Sequence, residues 1–442
     1  MNRRLANLLG LGAAIVLAGA GLAASDPAQD GDDLISHILK NEPAANTSGA
    51  KPANPTAKPP SGPQPVVMSA RIGEHEDRTR FVVEMSDPVQ MRVFTLANPD
   101  RVVIDMPAVQ WHLDGPPRPT GFGAVHSYRY GLFRSGSSRF VIDLNRPVKV
   151  SDPLVLPPSG GYGYRVVIDL FPVTPDQFAH NSGWPADLKA REAAAELLAA
   201  APPPQPSTPL EKHVVVIDPG HGGIDTGTSG VNGLQEKDLV LDEALRLGRE
   251  LVRRGGYTVH LTRDTDVFIP LRERVTIARS WHSDLFISLH ADSNPDPGVN
   301  GLSIYTLSES GSDKEAAALA RKENQSDVIA GVDLGGGNAT VAPILIDLAQ
   351  RDTMNRSSRF AEGAVANLTS ATDILPRQPH RSAAFAVLKA PDVPAVLIEL
   401  GYLSNAADAD QMNTARWRNG VAKSIAAAVD GYFNPPPGSP FP

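Results

Sequence analysis

The segment Val214-Val215-Val216-Ile217-Asp218-Pro219-Gly220-His221-Gly222-Gly223 decides how the C-terminal half of the chain folds. Its run of β-branched residues predicts a buried strand, and the proline and glycines that follow predict a tight loop. Further apolar runs alternate with amphipathic stretches: strands are predicted at 257–262, 285–289, 302–307 and 395–398, and helices at 236–254, 271–279 and 415–429. This alternation predicts an α/β domain with a mostly parallel sheet flanked by helices.

Chemically reactive side chains follow three of these strands directly. His221, His290 and Glu399 each stand where an apolar run ends, and ligands bind beyond the carboxyl ends of strands in an open parallel sheet. Glu236 begins a predicted helix, from which a carboxylate can be aimed rigidly. A catalytic zinc takes three protein ligands, typically His with His or Glu, and leaves a fourth position for water. His221, Glu236 and His290 match this set, and Glu399 is placed to act as the general base.

Other polar residues near the same strand ends have less certain roles. Asp218, Asp225 and Asp292 either orient the histidines or serve in turns and helix caps. His380 precedes a possible strand at 384–388 and could line the same cleft. The remaining histidines are interpreted as structural.

The region 66–175 has a different pattern, with short β-rich stretches separated by turn residues. The unit Arg101-Val102-Val103-Ile104-Asp105 recurs at 165–169, and Arg139-Phe140-Val141-Ile142-Asp143 is a third copy. These features predict a separate, small all-β domain, sandwich-like and internally symmetric. The arginine and aspartate of each copy are either the solvated flanks of a buried strand or ligand-binding groups.

The remaining segments and the composition indicate an exported protein. Arg3 and Arg4 precede an apolar run that ends in small residues, so residues 1–24 are predicted to be an export signal, Sec or twin-arginine; an uncleaved anchor is the alternative. Residues 25–65 are predicted to be a disordered linker, 176–211 a helical and proline-rich linker, and 435–442 a tail. The absence of cysteine excludes disulfides and thiolate ligands, and a net charge of -8 argues against a nucleic-acid partner. No stable membrane span is expected after signal cleavage.

Four ordered motifs resemble those of zinc-dependent N-acetylmuramoyl-L-alanine amidases. They are Asp218-Pro219-Gly220-His221-Gly222-Gly223, Glu236-Lys237-Asp238, Ser288-Leu289-His290-Ala291-Asp292 and Ile398-Glu399-Leu400-Gly401-Tyr402. The resemblance covers residues 212–434. It implies cleavage of the amide between N-acetylmuramic acid and the L-alanine of the peptidoglycan stem peptide, with Zn2+ on His221, Glu236 and His290 and with Glu399 as the catalytic carboxylate.

The β-rich region is similar to the AMIN domain that accompanies such amidases in Gram-negative bacteria. This similarity implies peptidoglycan binding, a periplasmic location, and a role in cell-wall remodelling and daughter-cell separation.

A long insertion at 308–356 interrupts the predicted catalytic domain. Its first part, 314–329, can form a helix; Gly335-Gly336-Gly337 is a flexible break, and a second apolar helix is predicted at 344–348. The resemblance implies that such an insertion is an autoinhibitory helix with one glutamate in the open zinc position, released by a LytM-type activator protein. Glu323 is the candidate, and a solvent-facing side chain is the alternative.

Two further functions stay open at this point. A zinc peptidase could cut another bond of the stem peptide, and a non-catalytic wall-binding regulator could retain the fold alone.

Overall fold

The computed structural model describes residues 64–113, 121–134, 136–190, 212–332 and 343–435. The predicted export signal, nearly all of the first linker, residues 191–211 of the second linker, the triple-glycine break and all but the first residue of the tail lie outside these ranges. Within the described ranges, no helix has both the length and the apolar character that crossing a bilayer requires.

Two mainly antiparallel sheets make up the N-terminal domain. Their strands are β1 (Val66–Glu74), β2 (Thr79–Met85), β3 (Arg92–Leu96), β4 (Arg101–Pro107), β5 (Gln110–Trp111), β6 (Val125–Leu132), β7 (Ser137–Leu144), β8 (Val148–Val150), β9 (Leu154–Leu156) and β10 (Tyr164–Pro172). One sheet has the order β5-β1-β2-β10-β8, with β9 also paired to β10, and the other has the order β3-β4-β7-β6. Phe81, Val102, Phe140 and Ile168 from the two sheets share one core. The predicted sandwich-like β domain is therefore confirmed.

The repeated Arg-to-Asp unit forms β4 and β7, which pair antiparallel in one sheet, and β10 in the other. Because side chains alternate along a strand, the second and fourth residues of each unit enter the core, while the arginine, the central valine and the aspartate share the outer face. On β4 and β7 this outer face is covered: Arg139 is 0% exposed, and Val103 and Val141 are also buried. The interpretation of Arg139 as a solvated flank is therefore wrong.

Part of the predicted second linker packs against the β domain. Helix α1 (Pro175–Asn181) begins at a capping box formed by Thr174 and Gln177, and its Phe178 enters the β-domain core. Trp184 is also buried. Burying these large apolar side chains is more favourable than leaving them exposed to solvent. The folded part of the chain therefore extends beyond residue 175, where the β domain was predicted to end.

A second six-stranded sheet forms the C-terminal domain. It contains β11 (His213–Pro219), β12 (Tyr257–Leu261), β13 (Leu285–His290), β14 (Ser303–Leu307), β15 (His380–Ala383) and β16 (Ala395–Glu399), in the order β12-β11-β13-β16-β14-β15. Every neighbouring pair is parallel except β14 with β16. The predicted mostly parallel sheet is thus confirmed. The possible strand at 384–388 is wrong, because Ala386–Leu388 is a 3-10 turn that buries Phe385 and Leu388 in the core.

Helices cover both faces of this sheet: α2 (Glu236–Arg254), α3 (Leu271–Ser280), α4 (Lys314–Glu323), α5 (Ser326–Ile329), α6 (Pro343–Leu368), α7 (Ala406–Met412) and α8 (Ala415–Phe433). Val215 and Ile217 enter the core beneath α2, α6 and α8, whereas Val216 enters the opposite core with Ala316 and Ala320 of α4. The helix predicted at 314–329 is divided into α4 and α5. The insertion was predicted to end at Arg356, but this residue lies within helix α6, so no helix or strand ends there.

The two domains also share an apolar cluster. Phe133 of the β domain stacks on Phe268 of the C-terminal domain, with ring centroids 5.8 Å apart and an interplanar angle of 14°. Around this pair lie Leu96, Val103, Val141, Trp184, Ile224, Ala330 and Val332. Ala330 and Val332 belong to the insertion, which therefore contacts both domains.

Candidate metal centre

Three neighbouring strands bring the predicted site residues together. β11, β13 and β16 are adjacent and parallel, so His221 directly after β11, His290 at the end of β13 and Glu399 at the end of β16 meet at one edge. Glu236 reaches the same point from the first residue of α2. All these side chains are buried.

Four potential ligand atoms surround one point. Glu236 Oε1 lies 3.1 Å from His221 Nε2 and 3.3 Å from His290 Nδ1. Glu323 Oε2 lies 3.5 Å and 3.1 Å from the same two nitrogens. A tetrahedral ion with bonds of about 2.0 Å separates its ligand atoms by about 3.3 Å. Because neither ring nitrogen makes a hydrogen bond within the described chain, these atoms fit a metal ion better than they fit one another.

Neighbouring groups fix the orientation of the ligands. Asp225 Oδ2 lies 2.9 Å from His221 Nδ1, so the other ring nitrogen of His221 points into the cluster. Glu236 accepts main-chain hydrogen bonds from Ala291 at 2.9 Å and from Thr228 at 2.8 Å. Such outer contacts orient metal ligands and strengthen their binding. Of the three aspartates predicted as possible orienting groups, Asp225 has this contact.

Asp218, Asp292 and His380 have other surroundings. Asp218 accepts hydrogen bonds from Arg274, Thr262 and Ser288. Asp292 accepts one from Thr228 at 2.6 Å. His380 lies on the edge strand β15, beyond β14, with its Nε2 3.1 Å from Thr306 Oγ1.

Two buried arginines hold the loop that carries His221. Arg274 donates to the carbonyls of Pro219 and His221, both at 2.7 Å, and Arg263 donates to that of Gly220 at 2.7 Å. His221 itself has a φ of 56°, a left-handed conformation that costs energy in a non-glycine residue and needs such support. Neither arginine was among the site residues predicted from the sequence. Arg274 interrupts the buried stripe of α3, and an arginine in an apolar stripe is the signal that could have indicated it.

Gly220 leaves the space that His290 occupies. A Cβ atom at Gly220 would lie 2.4 Å from His290 Nε2, closer than any real contact. The glycine is therefore required by the close approach of the two ligand-bearing segments.

Acidic groups dominate the electrostatics of the cluster. Burial alone would lower the pKa of His290, but the carboxylates of Glu323 and Glu236 raise it to about 10. The pKa of His221 is likewise raised well above its ordinary value, because Glu236, Asp225 and Glu323 outweigh its burial. Carboxylates in such number around two imidazoles attract a positive charge, and a divalent cation would supply it.

Glu399 lies beside the cluster with one oxygen anchored. Its Oε2 accepts the main-chain N–H of Asp292 at 2.9 Å, and its Oε1 has no hydrogen-bond partner among the described residues. Burial raises the pKa of Glu399 well above its ordinary value; His290 opposes this rise, and the carboxylates of Asp292 and Glu236 add to it. A carboxylate with one fixed and one unpaired oxygen can accept and return a proton.

Helix α4 places Glu323 at the cluster. Ala316, Ala320 and Glu323 lie on one face of α4, and all three are buried. With an exposure of 5%, Glu323 is not the solvent-facing side chain of the alternative interpretation. Two neighbouring contacts tie the insertion to the site as well, since Lys322 Nζ contacts Asp292 Oδ1 and the Ser326 hydroxyl contacts Asp225 Oδ2.

The space left at the cluster is about 10 Å³, room for one water at most. A larger cleft of about 420 Å³ lies alongside, between α4 and a wall that includes Asn294, Arg381 and Tyr402. Helix α4 therefore stands between this cleft and the buried histidines.

A buried group of two histidines and a carboxylate at the carboxyl edge of an α/β sheet is the kind of site that can hold a metal ion in a hydrolase. Residues 215–431 match the N-acetylmuramoyl-L-alanine amidase family, and residues 69–156 match the AMIN domain family. The N-acetylmuramoyl-L-alanine amidase AmiC of Escherichia coli is 33% identical over 388 residues, which cover 83% of this chain and 89% of that protein. The AmiC of Neisseria meningitidis serogroup B is 33% identical over 392 residues, covering 86% and 93%.

The chain belongs to the N-acetylmuramoyl-L-alanine amidase family, which confirms the predicted family and enzyme class. Among solved structures, the amidase AmiC2 of Nostoc punctiforme has 28% identity and a TM-score of 0.38, covering 50% of this chain and 97% of that one.

Proposed function

We propose that this protein is a zinc-dependent peptidoglycan amidase, which cleaves the amide between N-acetylmuramic acid and the L-alanine of the stem peptide. The observation that carries the proposal is the buried set of ligand atoms on His221, Glu236 and His290, in which Glu236 Oε1 lies 3.1 and 3.3 Å from the two ring nitrogens. Membership of this family supports the proposed identity of the bond that is cleaved. The AMIN domain and the predicted export signal support action on the periplasmic cell wall of a Gram-negative cell, in wall remodelling and daughter-cell separation.

In this proposal His221, Glu236 and His290 hold the zinc ion. When bound, zinc supplies Lewis acidity towards the scissile carbonyl and towards water. Glu399 uses its unpaired Oε1 to accept a proton from the attacking water and returns it to the leaving amine of L-alanine. Asp225 accepts a hydrogen bond from Nδ1 of His221, which orients the ring and leaves the unprotonated Nε2 facing the cluster.

We further propose that the resting enzyme is autoinhibited. Glu323 occupies the fourth corner of the ligand set, where the reaction needs water or substrate, and α4 closes the route from the cleft. A LytM-type activator protein that draws α4 away would open the site. This partner follows from the family resemblance, and the buried position of Glu323 supports the need for it.

Metal content and digestion products together test the proposal. Elemental analysis should find one zinc per chain. Full-length protein should release little from purified peptidoglycan, whereas deletion of residues 314–337, or Glu323→Ala if the deletion fails to fold, should release free stem peptides. Cuts within the stem would indicate the peptidase alternative. No release by either zinc-loaded variant would indicate the non-catalytic regulator.

Glu399→Gln, made in the activated background, tests the proton-transfer role. We expect turnover to fall by about 100-fold or more while zinc stays bound, because the amide cannot accept the proton. Glu362→Gln, an exposed change on α6, is the matched control. An active Glu399→Gln enzyme would reject the assigned role.

A further inference from the structure

Three arginines of the AMIN domain point at the insertion. They lie on the adjacent strands β4, β7 and β6, on the sheet face opposite the domain's own core. Arg101 and Arg139 are 2% and 0% exposed, and the Arg129 side chain is 22% exposed. Buried guanidinium groups are rare unless they are paired, so their partners indicate what this face is built to bind.

The partners are main-chain carbonyls of four consecutive residues. Arg101 Nη1 donates to the carbonyl of Val328. Arg129 Nε donates to that of Ile329 at 2.5 Å, and Arg139 Nη1 donates to those of Ala330 and Gly331, both at 3.0 Å. These residues follow α4 and lie at the C-terminal end of α5, where the last carbonyls of a helix have no partner in a following turn; the Val328 carbonyl also accepts the N–H of Gly331 at 3.0 Å. The arginines thus cap the end of the segment that begins at the metal centre.

Other AMIN residues hold the arginines in place. Asp105 accepts two hydrogen bonds from Arg139, at 2.5 and 2.8 Å, and Asp143 accepts two from Arg129. The Arg139 guanidinium also lies 3.4 Å from the centre of the Phe133 ring. These contacts of Arg129 and Arg139 lie within the AMIN domain, so they can hold both side chains in place without the insertion and reduce the conformational entropy lost on binding.

Apolar contacts follow the same segment. Ala330 and Val332 are buried in the cluster between the domains. Gly331 has a φ of 70°, and a Cβ atom there would lie 3.0 Å from Val141 and 3.1 Å from Val103. The AMIN face therefore accepts the main chain of Gly331 closely, and a side chain there would require Val141 and Val103 to shift.

We propose that the arginine face of the AMIN domain, formed by Arg101, Arg129 and Arg139, is the binding surface for residues 328–331 and keeps α4 docked over the metal centre. The AMIN domain thereby helps to inhibit its own catalytic domain, in addition to any contact with the wall. Glu323 and Val328 are five residues apart, so Glu323 cannot move far from the metal centre while Val328 stays bound to the arginine face. Weakening the AMIN contacts therefore makes it easier for the site to open. This inference rests on the proposed autoinhibition.

The test compares full-length variants without an activator. Arg129→Gln removes a contact from the AMIN side, and Gly331→Ala disturbs the same contact from the insertion side, in case either change alters folding. We expect each to raise peptidoglycan release by about tenfold, a ratio that corresponds to roughly 1.4 kcal/mol. The amides of Gly331 and Val332 should also exchange faster with deuterium. Arg165→Gln is the matched control, because this arginine of the third repeat copy lies in the other sheet and contacts Ser159.

The outcomes separate the two proposals. If the 314–337 deletion is active while both point variants keep wild-type release and exchange, the AMIN anchor is wrong and autoinhibition stands. If the deletion itself is no more active than the full chain, autoinhibition is wrong. Activation by both point variants, with Arg165→Gln unchanged, supports the anchor.

Discussion

Overpacking the buried face of α4 should activate the enzyme without touching the metal centre. Ala320 is 3% exposed and packs in the core that contains Phe286, Phe385 and Leu397. Ala320→Leu adds three carbon atoms to this core, and overpacking of this kind costs about 1 to 3 kcal/mol. The penalty falls only on the state in which α4 is docked. It should therefore shift the closed-to-open ratio by roughly 5- to 150-fold towards the open enzyme.

The assay is release of soluble fragments from labelled peptidoglycan by full-length protein without an activator. Arg321→Leu is the matched control, because Arg321 is exposed on the same helix outside the lining of the cleft, and leucine has nearly the helix propensity of arginine. The 314–337 deletion sets the upper limit of activity. A folded Ala320→Leu protein that releases no more than wild type would refute the view that docking of α4 limits turnover.

Two predictions concern buried charges. Burial raises the pKa of Glu243 to about 8 from 4.5, so the native state keeps a proton that the unfolded state releases. The free energy of unfolding should fall by about 3 kcal/mol between pH 4.5 and pH 7 for this reason, and Glu243→Gln should remove that decline; equal pH slopes in denaturant titrations would contradict this. Arg274→Met removes the charged partner of the buried Asp218, so it should cost about 3 to 5 kcal/mol of stability and speed the loss of zinc to a chelator. The exposed Arg272→Met on the same helix is the control, and similar effects of both changes would argue against a special role for Arg274.

The catalytic fold was predictable because its signals are local. A parallel sheet buried on both faces needs continuous apolar runs, and five such runs became strands within one or two residues of their predicted ends, whereas the run at 384–388 did not. The β domain gave weaker signals. β6 (Val125–Leu132) mixes tyrosines with His126 and Arg129, so its core-facing period is hard to see, and the pairing of β2 with β10 joins strands far apart in sequence.

The candidate site divides in the same way. His221, His290 and Glu399 were predicted because each stands at or just beyond the end of an apolar run, and the strand order then brings them together. The arginine face was not found. Its partners are main-chain carbonyls 191 to 227 residues away in sequence. Because every residue type has a main-chain carbonyl, the residue type of the acceptor gives no sign of the contact. Only the tertiary structure can show such contacts, whereas side-chain ligands show themselves by residue type.

If both proposals hold, the two contacts of the insertion, Glu323 at the metal centre and residues 328–331 on the arginine face, determine what an activator must supply. Moving a closed enzyme from 1% to 99% open requires a partner that favours the open form by about 5.5 kcal/mol. A partner that binds only α4 must also break the contacts of the AMIN arginines with residues 328–331. Any change that weakens those contacts lowers the binding free energy that the partner must provide. Linkage is reciprocal, so if wall binding weakens the arginine contacts, release of the insertion strengthens wall binding by the same factor. On that condition, the proposed amidase would open most readily when it is already bound to the wall.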